Sequence, residues 1–183
     1  KNRDAADAWQ VYHGANTSAP ETDYMVLNTS AATADNADRW SDEAPTSSVF
    51  TLGDGAEVNT NTENYIAYCF AEKQGFSAMG SYTGNGNADG AFVYTGFRPA
   101  YVMIKDTSGD AEPWEVYDNK RLGYNESNSE LYPSTSSAEG ANTRILLFSN
   151  GFKANINSAG VNGSGNTYIY MAFAEAPFVN SNG

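Results

Sequence analysis

The sequence predicts an all-β fold, an antiparallel β-sandwich or jelly roll, and two observations indicate it. Short runs rich in Tyr, Phe, Val and Ile alternate with clusters of Gly, Asn, Ser and Thr, which is the composition of strands joined by polar turns. No window carries apolar residues at helical spacing for more than a turn or two, so we expect no long helix. The 183 residues are enough for one large sandwich or two small ones.

Each half of the chain reads as short strands divided by turn residues, and the bounds that follow are those of the second half. Asn150-Gly151 is typical of a two-residue type I′ turn, which would join its flanking strands as a hairpin. Residues 101–105 alternate with the period of a half-buried strand. The predicted strands are Ser81–Thr83, Ala91–Tyr94, Ala100–Lys105, Trp114–Tyr117, Arg144–Ser149, Phe152–Ile156 and Thr167–Ala174.

An internal repeat is the most informative feature of the sequence. Val58-Asn59, five residues and the run 65–72 return 103 positions later as Val161-Asn162, five residues and the run 168–175. Five of the eight positions in the two runs are identical. Agreement of this length in the same order indicates that one structural pattern occurs twice.

We therefore predict two tandem related units, residues 1–79 and residues 80–183, as separate sandwiches or as matching halves. They should superpose strand on strand, with Tyr65 over Tyr168. The match extends upstream, where Trp9 corresponds to Trp114 and both indoles are predicted to lie in the core.

The first unit lacks a counterpart of the strands that precede Lys105, because Lys1 occupies the equivalent position. Such a unit would expose part of its core and a long unpaired edge, which favours aggregation. We expect a preceding stretch of polypeptide, or another chain, to supply the missing strand.

Charge and cysteine content exclude several classes of partner. The chain has 10 basic and 22 acidic residues, and this net charge of −12 repels phosphate backbones and anionic lipid headgroups. We expect no nucleic-acid partner and no membrane insertion, since no apolar run approaches the roughly 20 residues that span a bilayer. Cys69 is the single cysteine, which excludes an intramolecular disulfide and favours a small buried thiol.

No set of residues typical of catalysis is found, so we predict that the protein is not an enzyme. His13 is the single histidine and reads as an ordinary surface residue; one His and one Cys leave no zinc site or Cys/His dyad within a chain. Glu72 and Glu175 occupy equivalent strand ends. They would lie in separate units rather than face each other across a cleft, as glycoside hydrolysis requires.

One loop resembles a calcium site. Asn85, Asn87, Asp89 and Gly90 match positions 1, 3, 5 and 6 of a calcium-binding loop. Position 12 is Gly96 rather than a bidentate Glu, and Asp89 brings the single charge. A tight polar turn is therefore predicted, with weak Ca²⁺ binding as the alternative and no other cofactor.

Residues 16–48 and 119–143 are weakly patterned and are predicted to be long surface connections, where recognition is usually located. Aromatic rings in such loops can stack on sugar C–H surfaces while amides and carboxylates bind hydroxyls. Each of these rings could instead pack within the fold. The candidate ligand-binding residues are Tyr24, Trp40, Tyr124 and Tyr132, with Asp23 and Asn125 nearby.

Four further segments carry a resemblance to a known family: the run G-F-R-P-A-Y-V-M-I-K at 96–105, W-E-V-Y-D at 114–118 with Arg121, N-G-F at 150–152, and the run 168–175. Together they resemble a repeated domain of bacteriophage tail proteins, which is similar to concanavalin A-like lectin sandwiches of the laminin-G or SPRY type. The first unit has His13-Gly14-Ala15-Asn16 where the second has Asp118 and Arg121. An ion pair or ligand contact of those two residues would therefore belong to the second unit alone.

The resemblance implies a virion-surface module, a tail fibre or appendage, that binds a host glycan or a protein receptor. Its partners would be other virion chains, with a homo-oligomer expected. The alternative is a purely structural capsid or tail protein, a decoration or fibre-building module without a ligand. A secreted carbohydrate-binding or polysaccharide-degrading protein is the third hypothesis.

Overall fold

The structure, a computed structural model, describes residues 1–109, 111–121, 125 and 129–178. These residues form short strands and three helices of a single turn. The strands are β1 (Gln10–Val11), β2 (Asp23–Val26), β3 (Ala34–Asp35), β4 (Ser77–Thr83), β5 (Phe92–Tyr94), β6 (Pro99–Asp106), β7 (Glu115–Asp118), β8 (Ile145–Phe148), β9 (Gly151–Ala154) and β10 (Thr167–Ala174); the helices are α1 (Ala37–Trp40), α2 (Ala56–Asn59) and α3 (Ala159–Asn162).

A four-stranded antiparallel sheet in the order β4-β10-β6-β7 lies at the centre. Strand β10 pairs with β4 from Thr167 to Phe173 and with β6 from Tyr168 to Ala174. The strands predicted in the second half of the chain are confirmed, with ends that differ by a few residues. No helix in the described ranges could cross a bilayer, because each has only four residues.

A three-stranded antiparallel sheet in the order β5-β9-β8 packs on one face of the central sheet. Phe152 of β9 is buried between the two layers, with its ring 5.4 Å from that of Tyr170 and 6.0 Å from that of Tyr82. Burial of such a side chain contributes about 1.5–3 kcal/mol. The predicted all-β antiparallel sandwich is confirmed.

The β8–β9 hairpin is confirmed, but its predicted turn is wrong by one residue. Phe148 pairs with Gly151, so Ser149 and Asn150 form the turn. Neither Asn150 nor Gly151 has the positive φ that a type I′ turn requires. Glycine is needed at 151 for another reason: a Cβ there would overlap the carbonyl oxygen of Val93 in the neighbouring strand.

A third, small antiparallel sheet, β1-β2-β3, covers the opposite face of the central sheet. Met25 of β2 packs with Trp114 and Ile169 in a second buried cluster, and the Trp114 indole Nε1 donates to Val26 O at 2.9 Å. The sequence predicts that β6 is buried on one face. This prediction is incomplete, because the sheet β1-β2-β3 covers its other face. Lys105 is fully buried, and its Nζ donates to main-chain oxygens of Ser30 and Glu112.

The prediction of two tandem sandwiches is not confirmed. Tyr168 lies in the central strand and pairs with both β4 and β6, whereas Tyr65 forms an isolated bridge with Asn2 and residues 66–72 lie in no strand. Strand β4 also crosses the boundary drawn between residues 79 and 80. The two runs differ in structure because β10 has a strand on each side, β4 and β6, whereas residues 66–72 do not. The division into units remains a prediction.

The repeat is nevertheless visible in local structure. Helices α2 and α3 are single turns 103 positions apart, each ending in an asparagine. The Asn59 Nδ2 donates to Gly53 O at 2.9 Å, and the Asn162 Nδ2 donates to Ile156 O at 3.0 Å, again 103 positions apart. The sequence match therefore marks a shared turn that leads into the run 65–72 in one case and into β10 in the other.

Four further predictions for the first half are corrected. Cys69 is exposed rather than buried, because it lies in the run 66–72, which is exposed throughout and belongs to no strand. His13 is not an ordinary surface residue, since its Nε2 donates to Tyr170 O of β10 at 3.1 Å. Residues 16–48 are not merely a connection, because they contain β2, β3 and α1. Of the two predicted core indoles, Trp114 is buried and Trp9 is half-buried against Tyr68.

Candidate functional site

The outer face of sheet β5-β9-β8 carries three exposed aromatic rings. Alternation along β5 turns Val93 inward to the core and Phe92 and Tyr94 outward. Phe92 is 47% exposed, Tyr94 68% and Phe148 of β8 38%. We call Phe92, Tyr94 and Phe148 the aromatic face.

Gly151 shapes this face from its centre. It pairs with Tyr94 on one side and with Phe148 on the other, so a position without a side chain separates two rings. The rings of Phe92 and Phe148 meet at a centroid distance of 6.0 Å and an interplanar angle of 68°. This edge-to-face contact limits their movement. The Phe92 ring thus lies close to Gly151, and the face carries two rings in contact beside the more exposed Tyr94.

Polar groups border the face on both sides. Lys153 of β9 pairs with Phe92 in register, and its Nζ forms an ion pair with the exposed Asp89 carboxylate. At the β8 edge, Leu147 N donates to Asn125 Oδ1 at 2.7 Å and Asn125 Nδ2 donates to Leu147 O at 3.1 Å. The Asn125 side chain thereby pairs with β8 in place of a neighbouring strand.

Exposed rings beside charged and amide groups provide an apolar platform with hydrogen-bonding groups at its margin. Such a combination suits ligands that have both C–H surfaces and hydroxyl groups. Within the described ranges, no group of three His, Cys, Asp or Glu side chains is arranged to hold a metal ion. The rings and the polar groups at their margin make this face a candidate for stacking and hydrogen bonding.

The model of a protein family described as a domain of unknown function, DUF7483, matches residues 1–177. The chain belongs to this family. No curated protein and no solved structure showed a significant match.

Three ligand-binding residues were predicted in the first half of this DUF7483 chain: Asp23, Tyr24 and Trp40. They lie close together, and most of their contacts are with other residues of the fold. The Trp40 indole Nε1 donates to Asp23 O at 3.0 Å, and the ring is only 8% exposed and packs edge-on against Tyr12. Trp40 is therefore corrected to a core residue. Tyr24 lies under the Arg39 guanidinium, 4.9 Å from its ring centroid, and Asp23 accepts a hydrogen bond from Thr17. A ligand role for Asp23 and Tyr24 remains a prediction.

The candidates of the second half are dispersed. Asn125 borders the aromatic face, and Tyr124 lies outside the described residues. The Tyr132 hydroxyl donates to Glu130 Oε1 at 2.8 Å. Burial and this hydrogen bond raise the pKa of Tyr132 to about 12. Tyr132 is thus part of a charged cluster beneath the surface, and a ligand role for it remains a prediction.

That cluster contains a pair of carboxylates that sequence reasoning did not find. The Arg144 Nη1 lies 2.9 Å from Glu115 Oε1, and its Nε lies 2.9 Å from Glu130 Oε1. Burial raises the pKa of Glu115 to about 7, although the hydrogen bond from Tyr117 and the charge of Arg144 lower it. Both carboxylates are almost fully buried, so a polysaccharide has no access to them.

The loop that resembles a calcium site uses its side chains internally. Asn85 Oδ1 accepts from Asn87 N at 2.9 Å and from Asn162 Nδ2 at 3.0 Å. The Asn85 Nδ2 donates to Asp89 O at 3.0 Å. The geometry is that of a tight polar turn closed by Asn162, and a Ca²⁺ ion would have to displace these contacts.

Asp118 and Arg121, which the first unit lacks, form an ion pair. The Arg121 Nε lies 2.6 Å from Asp118 Oδ2, and the Arg121 Nη1 lies 3.0 Å from Glu139 Oε1. Hydrogen bonds from Arg121 and Lys120 lower the pKa of Asp118, outweighing the effect of its partial burial. This pair anchors the connection that follows β7.

Phe92, Tyr94 and Phe148 are not among the ligand-binding residues predicted from the sequence, because those candidates were all taken from the predicted loops. One signal was available. Strand alternation in F-V-Y at 92–94 places two aromatic residues on the face opposite the buried valine. An aromatic residue is expected inside a sandwich, so two on the outer face mark that face as a candidate site.

Proposed function

We propose that this chain is a non-enzymatic module of a phage virion surface, a tail fibre or appendage, that binds a host glycan through the aromatic face. The observation that carries the proposal is the outward orientation of Phe92, Tyr94 and Phe148 on one sheet. The virion assignment rests on the resemblance of the sequence to a repeated tail-protein domain.

The chemistry of the face favours a neutral sugar. Tyr94 is the most exposed ring of the three and would stack on a pyranose C–H surface, while its hydroxyl would hydrogen-bond to the sugar. Lys153 and Asp89 at one margin would bind hydroxyl groups. A polyanionic glycan is disfavoured because the chain has a net charge of −12.

The test is a glycan array followed by calorimetric titration of the bound sugar. Replacing Tyr94 or Phe148 with alanine should weaken binding by about tenfold or more, which corresponds to roughly 1.4 kcal/mol at a central contact. Tyr68→Ala is the matched control, because Tyr68 is 65% exposed and lies off the aromatic face. Equal affinity of all three variants for the sugar would refute the assignment of the face.

A structural role in fibre or capsid assembly is the second candidate, and a specific observation favours it. Residues 66–72 are all exposed although they include Ile66, Tyr68 and Phe70. An apolar run of this kind suits a contact with another protein segment. Absence of glycan binding, with assembly lost when the run is altered, would favour this role.

A further inference from the structure

Strand β5 forms one edge of the sheet β5-β9-β8, and its hydrogen bonds leave that edge open. Thr95 N donates to Asn150 O at 3.0 Å, on the side of β9. Because such bonds fall on every second residue of an antiparallel ladder, Val93 also bonds to β9. The N–H and C=O groups of Phe92 and Tyr94 therefore point away from β9. Within the described part of the chain, these groups form no hydrogen bond.

The other three outer edges of the two larger sheets are bonded at least in part. The Asn125 side chain binds to β8, and Leu131 exchanges main-chain hydrogen bonds of 2.9 Å and 3.0 Å with Val116 of β7. At β4, Met79 N donates to Glu72 Oε1 at 2.9 Å. Edges that stay unpaired usually carry charged residues or proline, and residues 90–97 contain neither. The β5 edge is therefore available for pairing and lacks the usual protection against it.

The residues around β5 are arranged almost symmetrically about Val93. The sequence of residues 90–96 is G-A-F-V-Y-T-G, so an aromatic residue, a small residue and a glycine follow on each side of the valine. This symmetry favours a second copy of the same chain, because a two-fold axis brings each position opposite its mirror position. With the axis at Val93, Phe92 lies opposite Tyr94 of the second copy. Aromatic pairs of this kind stabilise antiparallel strands, and at both ends glycine meets glycine.

The charges beyond the ends of β5 favour the same pairing. The chain has a net charge of −12, but the first charged residues on the two sides of the strand have opposite sign, Asp89 and Arg98. The Asp89 side chain is 87% exposed and the Arg98 side chain 46%. In an antiparallel pair, the end that carries Asp89 lies beside the end of the second copy that carries Arg98. Two acidic chains can therefore approach along this edge with opposite charges at both of its ends.

We propose that two copies of this chain pair antiparallel through β5, with the two-fold axis at Val93. Phe92 of each copy exchanges both main-chain hydrogen bonds with Tyr94 of the other. The two three-stranded sheets become one sheet in the order β8-β9-β5-β5-β9-β8. On its outer face, Phe92 of the second copy lies in the strand next to Tyr94, about 4.8 Å away. The second copy thereby contributes a ring to the aromatic face, and the pairing does not depend on sugar binding.

The test measures self-association of the whole chain by sedimentation velocity and its amide hydrogen exchange by NMR. Concentrations from about 10 µM to about 1 mM cover the range of small, weak interfaces. Exchange of the Phe92 and Tyr94 amides should slow by roughly fivefold or more as the concentration rises. The Val93 amide is the internal control, because it already bonds to β9 and should keep its rate. A monomer at every concentration, or protection of the Tyr68 and Phe70 amides instead, would overturn the proposal.

Two variants at Tyr94 separate main-chain pairing from contact between rings. Tyr94→Pro removes the ring and the outward N–H, and an edge strand tolerates proline where the N–H faces solvent. Tyr94→Ala removes the ring and keeps the N–H. Association should be lost in Tyr94→Pro and weakened less in Tyr94→Ala. The exchange measurement on the unaltered chain needs no variant, so it tests the pairing even where Tyr94→Pro does not fold.

Leu146→Ala is the matched control on the same outer face. Leu146 pairs with Lys153 and lies in β8, two strands away from the β5 edge. This variant should associate as the unaltered chain does. Equal weakening in Leu146→Ala and Tyr94→Ala, with no further loss in Tyr94→Pro, would assign the association to stacking of the outer faces and refute pairing through β5.

Discussion

Tyr65 and Tyr168, 103 positions apart, close equivalent helical turns with the same two hydrogen bonds. The Tyr65 hydroxyl accepts from Thr60 N at 2.8 Å and donates to Ala56 O at 2.7 Å. The Tyr168 hydroxyl accepts from Gly163 N at 2.7 Å and donates to Ala159 O. In each case one phenol hydroxyl binds a main-chain group at each end of a single helical turn. The hydrogen bonds fix the turn against the tyrosine that follows it in the chain.

Removing the two hydroxyls should have unequal effects on stability. Tyr168→Phe leaves a main-chain N–H and C=O without a partner in a buried site, which should lower the free energy of unfolding by about 1–3 kcal/mol. Tyr65 is half-buried, so water can replace its hydroxyl and Tyr65→Phe should cost less than about 1 kcal/mol. Urea denaturation measures both variants. Equal losses would contradict the difference in burial.

Glu115 should make the protein less stable as the pH rises. Its pKa is raised to about 7 from an ordinary value of 4.5, so the stabilisation is complete below pH 4.5 and is lost as the pH rises through about 7. The shift corresponds to roughly 3 kcal/mol. Glu115→Gln should remove this dependence, as measured by urea denaturation at pH 4.5, 6 and 8. Parallel stability curves for the two proteins would show that Glu115 does not titrate in this range.

His13 should act in the opposite direction. Burial lowers its pKa below the ordinary 6.5, although its hydrogen bond to Tyr170 O and the charge of Glu72 raise it. The stabilisation by neutral His13 is therefore present above pH 6.5 and is lost as the pH falls toward the lowered pKa. Because His13 is the single histidine, one NMR titration measures its pKa directly. A midpoint at or above 6.5 would contradict its burial against β10.

Gly151→Ala should be strongly destabilising, with a loss of about 2 kcal/mol or more. An added Cβ would overlap Val93 O and meet the Phe92 ring at 2.9 Å, which separates β9 from β5. Gly14→Ala is the matched control, because no atom lies within 4 Å of a Cβ at that position. Thermal denaturation distinguishes the two variants, and a similar change in both would refute the steric explanation.

The second half of the fold was predictable from local pattern. Strand alternation and turn residues identify β4 to β10, since each strand there finds neighbours within the same half. The first half was not predictable in this way. Residues 65–72 carry the sequence of a strand, yet a strand forms only where a neighbour accepts its hydrogen bonds. The covering sheet β1-β2-β3 has strands of two to four residues, too short to leave a periodic signal.

The candidate site was predicted less well, because composition does not show which way a ring points. Trp40 lies in a stretch that reads as a loop, but its indole bonds to β2 and is buried. Tyr94 lies in a strand that reads as core, yet it is the most exposed ring of the aromatic face. Asn125 was selected for its residue type, and the structure places it at the edge of that face.

The position of β10 also determines when the sandwich can form during synthesis. β10 is the interior strand between β4 and β6, and it follows both of them in the chain. Until the ribosome has released residues 167–174, the sheet has a gap at its centre, and β2 has no Ile169 to pack against. Folding must therefore wait for contacts that are distant in sequence, which makes it slow and leaves apolar strands exposed to aggregation in the meantime.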